Sequence, residues 1–118
     1  MRTAALLCFA VAGALCAQDH DWDRAHRVIG KTMEDLHRVE HHDIWAEVDR
    51  GHYDAAEHHL ADVRRDLDQN RLDRGRLDQS IAEIEHVTHV DRLDGRAREM
   101  LTGDLRELRH LRDDWHWR

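Results

Sequence analysis

The chain has 118 residues, with 18 basic and 25 acidic side chains and a formal net charge of −7 at neutral pH. An acidic surface opposes the phosphates of nucleic acid and the headgroups of anionic lipid, and no basic stripe interleaved with aromatics offsets it. Proline is absent and alanine, leucine, arginine and aspartate dominate, so nothing breaks helical segments and an all-α fold is expected.

The first seventeen residues read differently from the rest. Met1-Arg2-Thr3 is a short positive start, Ala4 to Leu15 is apolar, and small residues follow. That is the pattern of a secretory signal peptide over residues 1–17, too short to span a membrane. Cleavage after Ala14 satisfies the A-x-A preference, whereas cleavage after Ala17 leaves Gln18 first. Leu15 is too large for the position that precedes a lipidated cysteine, which argues against an anchor on Cys16. Both cysteines, Cys8 and Cys16, fall in this leader. The mature chain, residues 18–118, is therefore expected to be a single domain without a disulfide or a thiolate-bound metal. Loss of Arg2, the leader's one charged side chain, takes the net charge from −7 to −8. Basic residues are almost all arginine, with Lys31 the sole lysine, and acids favour aspartate. This bias suggests a high-GC bacterial genome, and the expected location is periplasmic or secreted.

Four helices are predicted. The first runs from about Asp19 to Asp49, with Trp22, Ala25, Ile29, Met33, Leu36, Ile44 and Val48 recurring every three or four residues. Its stripe weakens over Glu40–Asp43, where a kink is possible, and Arg50-Gly51 supplies a glycine C-cap. The second spans about His52 to Asn70, with Tyr53, Ala56, Leu60, Val63 and Leu67 inward. The third covers about Arg74 to Val90, with Leu77, Ile81, Ile84 and Val87 inward; the fourth runs from about Asp94 to Trp115 through Ala97, Leu101, Leu105, Leu108 and Leu111. Asp73 and Asp94 are positioned to N-cap the last two. Short connections force neighbours antiparallel and give an up-down four-helix bundle. The first and fourth helices should be the longer pair, their surplus turns bringing Trp22 to Trp115 and Trp117 as a hydrophobic cap.

Gly51, Tyr53, Ala56, Leu60 and Val63 resemble the second half of a tetratricopeptide repeat, although the first half does not match and the 34-residue period does not recur. The resemblance implies a helical hairpin that serves as a binding scaffold.

Histidine is the unusual chemistry. All twelve lie beyond the leader, and two doublets, His41-His42 and His58-His59, flank Gly51. Adjacent residues point about 100° apart on a helix, so chelation uses spacings of three and four. His37 and His41 form one such pair, and His86 and His89 another. If the chain reverses at residue 50, His41 lies level with His59, about 13 Å from the turn at ~1.5 Å per residue. A second reversal near residue 72 or 73 brings His86 to the same layer. The candidate metal ligands are thus His37, His41, His59, His86 and His89, with Glu40, Asp62 and Glu85 able to complete the shell or orient the rings. Imidazole with carboxylate, and no thiolate, suits Zn²⁺, Cu²⁺ or Ni²⁺.

Residues 37–41 also spell H-x-x-E-H, which resembles the inverzincin metalloprotease motif. That resemblance implies zinc on His37 and His41 and Glu40 as the base. The family's sheet-containing domain and its downstream glutamate ligand are not apparent in this chain. Ser80, the one serine, lacks a nucleophile elbow, and no phosphate-binding glycine loop occurs. In composition and expected architecture the chain is similar to small histidine-rich periplasmic metal-binding bundles. The expected function is non-catalytic: binding of divalent transition metal as a buffer, scavenger or carrier. The alternative is a helical interaction module contacting another envelope protein. Twelve titrating histidines, able to carry the charge from −8 to about +4, would make either one pH-responsive.

Overall fold

The computed structural model describes the backbone of residues 2–43, 47–89 and 93–117, and the side chains of 20–40, 50–89 and 93–117. It is an all-α four-helix bundle: α1 (Arg2–Asp43), α2 (Glu47–Asp68), α3 (Arg74–Thr88) and α4 (Gly95–Asp114). Each helix packs on two neighbours in a closed square, α1 on α2 and α4, α3 on α2 and α4. The reason lies in the stripes. Positions three and four apart fall on one helix face, and most inward residues read from the sequence are buried; Trp22, Met33 and Trp115 are partly so, and the side chains of Ile44 and Val48 lie outside the described residues. Ala25, Ile29 and Leu36 of α1 meet Tyr53, Ala56, Leu60, Val63 and Leu67 of α2, with Leu77, Ile84, Val87, Leu101, Leu108 and Leu111 filling the other half. The four residues that resemble a tetratricopeptide half-repeat, Tyr53, Ala56, Leu60 and Val63, are all spent on this core.

Three buried hydroxyls on threonine and serine are satisfied within their own helices. Thr32 donates to the Val28 carbonyl at 2.8 Å, Ser80 to the Arg76 carbonyl at 3.0 Å and Thr88 to the Glu85 carbonyl at 2.7 Å. Each can therefore enter the core without an orphaned O–H.

The first reversal is not where glycine placed it. α1 ends at Asp43 and α2 begins at Glu47, so the connection falls at 44–46, outside the described residues, and Gly51 lies within α2 rather than capping α1. No glycine among the described residues has a positive φ, so Gly51 does not use the freedom that would have made it a cap. A Cβ there meets nothing within 4 Å. Gly51→Ala should therefore raise the unfolding free energy by about 0.5–1 kcal/mol, the usual gain for removing a mid-helix glycine. At a left-handed cap the same change would cost about 1 kcal/mol or more. Urea denaturation of the two proteins reads the sign.

The other ends follow local chemistry. α2 closes with Asn70 at φ 58°, its N–H on the Leu67 carbonyl at 2.9 Å and the next N–H, from Arg71, on the Asp66 carbonyl at 2.8 Å. That is a Schellman ending in which asparagine takes the usual place of glycine. Asp73 caps α3 by accepting the Arg76 backbone N–H at 3.2 Å. Asp94 occupies the N-cap of α4 but makes no side-chain capping bond, correcting half of that expectation. α2 (22 residues) slightly exceeds α4 (20), so α1 alone is markedly longer than the rest. The surplus of α1 does bring Trp22 to Trp115, edge to face with ring centroids 4.9 Å apart, and Trp117 lies 6.4 Å beyond Trp115. Among the described residues no helix is long and apolar enough to cross a membrane.

Candidate metal centre

The turn of α1 that carries His37 and Glu40 meets Glu57 of α2, three residues before the Leu60 that a reversal at residue 50 would set level with Glu40. One ligand atom from each of these three residues lies within 4.8 Å of the other two. His37 and Glu40 share a face because they are three apart. Glu57 follows the buried Ala56 and so sits at the edge of the core stripe, half-buried, with Glu40 half-buried opposite it.

The electrostatics of this cluster are unfavourable as they stand. Glu57 Oε1 is buried and has no hydrogen-bond partner. Burial, then the facing Glu40 carboxyl, then the charge of Asp54 push Glu57 up to about 7. Two carboxyl groups face one another and either share a proton or repel, an arrangement that a cation relieves. Zinc bonds of about 2.0–2.2 Å require donor atoms roughly 3.0–3.5 Å apart. A set already confined within 4.8 Å reaches that by side-chain rotation.

The remaining sequence candidates are distributed as follows. His41 lies in α1, but its side chain is outside the described residues. His59 is half-buried on α2, its Nδ1 buried without a partner and its ring 6.3 Å from that of His58. His86 packs its ring on His52, centroids 3.8 Å apart, and His52 Nδ1 lies 3.1 Å from Glu83 Oε2. His89 is the C-cap of α3, its backbone N–H on the His86 carbonyl and its side chain exposed. Of the acids expected to assist, Glu40 joins the cluster. Asp62 pairs with His58 and Arg65, and Glu85 with Arg109. Sequence reasoning missed Glu57, His52 and Glu83. The last carried a readable signal, since Glu83-Ile84-Glu85-His86 is an E-x-x-H clamp of the kind that bundle metal sites use.

Two further features surround these residues. At the opposite end of the bundle an open cleft of about 780 Å³ is lined by Trp22, Trp115, Trp117, Leu72, Asp21 and Arg76 among others, and Arg76 is bound there to Asp66 at 3.1 Å. Between α1 and α4, Asp104 and Asp35 are buried at 1 % and 5 % exposure. Lys31 Nζ reaches both, at 2.8 Å to Asp104 and 3.1 Å to Asp35. Burial and the adjacent Asp35 carboxyl push Asp104 up to about 7, against the pull of Lys31. The ammonium, held mainly by its bond to Asp104, is raised above the ordinary lysine range.

Fold and cluster together define an all-α four-helix bundle with an imidazole–carboxylate group bridging its first two helices. No protein-family model, curated protein or solved structure matches the chain.

Proposed function

We propose that this protein is an exported helical bundle that binds a divalent transition metal, with His37, Glu40 and Glu57 as protein ligands, and that it buffers, scavenges or carries the ion rather than catalysing a reaction. The observation that carries the reading is the convergence of three ligand atoms from two helices within 4.8 Å, one of the three residues being a glutamate with a buried, unpartnered oxygen. One imidazole and two carboxylates leave room for water or for a fourth side chain, which suits Zn²⁺ and also admits Ni²⁺ or Cu²⁺. The apolar leader supports delivery to the periplasm or the exterior, where no cysteine of the mature chain would compete for the ion.

Calorimetric titration with Zn²⁺ tests the reading. The protein should bind about one equivalent at this site, and Glu57→Gln should weaken that event at least tenfold, because the amide keeps the shape and removes the anionic ligand. Equal affinity in the two proteins would remove Glu57 from the site and the proposal with it.

A further inference from the structure

We infer that a second, imidazole-rich metal site lies between α2 and α3, formed by His52, Glu83 and His86. It rests on the metal-binding reading above but shares no residue with the first cluster, so the two stand or fall separately.

Glu83 and His86 are three residues apart and share a face of α3. His52 approaches that face from α2, with Nδ1 3.1 Å from Glu83 Oε2. In a tetrahedral shell with bonds of about 2.0–2.1 Å, neighbouring donor atoms stand roughly 3.3–3.4 Å apart. One edge of such a shell is therefore already close to its final length, with the imidazole proton lying where the ion would go. The third donor has to turn in, since His37, Glu40 and Glu57 are the one described trio whose ligand atoms already lie within 4.8 Å of one another. The His86 ring centroid lies 3.8 Å from that of His52, with the planes inclined at 36°. His86 is exposed, so its side chain can turn a ring nitrogen toward the shared edge without disturbing the core.

The site lies at the flank of the bundle, where His52 is 35 % and Glu83 28 % exposed. Water can thus enter and supply the fourth ligand. Glu85, the other acid on this part of α3, is paired with Arg109, so Glu83 is the carboxylate that faces the two rings. The donor sets of the two sites differ in a predictable way. Two imidazoles and one carboxylate favour Cu²⁺ over harder ions more strongly than one imidazole and two carboxylates do. Copper should therefore fill the α2–α3 site first.

The test uses the full chain, Cu²⁺ alone as the probe, equilibrium dialysis for affinity and electron paramagnetic resonance for the number of coordinated nitrogens. His52→Gln with His86→Gln should lose the tightest copper event, with affinity falling at least tenfold, and lose the coupling pattern of two equivalent nitrogens. His37→Gln with Glu57→Gln should keep both. A control in which the exposed His20 and His110 become glutamine should resemble wild type. If the His52/His86 double variant retains wild-type copper affinity and the two-nitrogen spectrum, the site is refuted. Unchanged zinc affinity in the His37/Glu57 double variant, with the copper signature lost only in the His52/His86 variant, would overturn the proposed function's ligand set and leave this inference standing. All five substituted histidines are at least one-third exposed by position, and far-ultraviolet circular dichroism confirms that each variant is folded before titration.

Discussion

Lys31→Met should lower the unfolding free energy at pH 7 by about 2–4 kcal/mol, the largest loss expected from any single surface-accessible change in this bundle. Removing one partner of a buried ion pair typically costs about 3–5 kcal/mol, because the other charge is left in the interior without compensation. The lower range applies because the Lys31 side chain is 55 % exposed while its partners, Asp35 and Asp104, are nearly inaccessible. Water already screens part of the attraction at the ammonium end. Lys31 is the basic side chain bonded to both carboxyls, so methionine matches the stem and removes that charge from beside them. Lowering the pH supplies a remedy: once a proton neutralises Asp104, the ammonium is less required. The difference between wild type and Lys31→Met should thus shrink at pH 5. Urea unfolding of both proteins at pH 5 and 7 measures it; a loss that is equal at the two pH values would show that Lys31 acts through packing of its stem and not through charge.

That cluster also shows which parts of the structure the sequence made legible. The core was legible because burial on a helix leaves a period of 3.6 in the chain itself, and no proline or strand pattern competed with it. Asp104 was legible in the same way and was overlooked: it falls in phase with Leu101, Leu105, Leu108 and Leu111, a position that demands an apolar residue or a compensated charge. The single lysine in an arginine-dominated chain was the matching clue on α1. The register of α2 against α1 was not legible. The apolar stripe weakens over Glu40–Asp43 and then resumes at Ile44 and Val48, a pattern that reads as a kink as readily as a reversal, and Gly51 offered the more obvious stop. The side chain that meets Glu40 is Glu57, three residues before the one that a reversal at residue 50 sets level with it. A shift of a few residues is about one helical turn, enough to exchange one set of facing groups for another. His37 survives as a candidate because its partner Glu40 shares its own helix, and a pairing within one helix does not depend on register. The His52–Glu83–His86 contact, which does depend on it, was half visible in the E-x-x-H spacing of α3 and half hidden in the position of α2.

Stability should fall, not rise, as pH is raised from about 5 to 8, and Asp104 should be the main reason. Its folded-state pKa is raised from an ordinary 3.8 to about 7 by burial and by the Asp35 carboxyl. Between those two values the folded protein holds a proton that the unfolded chain has released. Linkage makes the slope of unfolding free energy against pH proportional to protons bound unfolded minus protons bound folded, which here is negative. The contribution is therefore fully present near pH 4 and is lost progressively up to and through pH 7. A displacement of this size corresponds to about 4 kcal/mol at one group, and sharing of the proton between Asp104 and Asp35 brings the expected change to about 2–4 kcal/mol. Glu57, also raised to about 7, adds in the same direction, so the wild-type slope alone does not isolate Asp104. Asp104→Asn does. Its amide can donate to Asp35 in place of the shared proton while still accepting from Lys31, so the contacts persist and the titration disappears. Chemical denaturation at pH 5, 6, 7 and 8 should show a steep decline for wild type and a distinctly flatter one for Asp104→Asn. Parallel curves, or a wild-type stability that climbs over this interval, would mean that Asp104 is ionised in the folded protein throughout and that Lys31 outweighs both the burial and the neighbouring carboxyl.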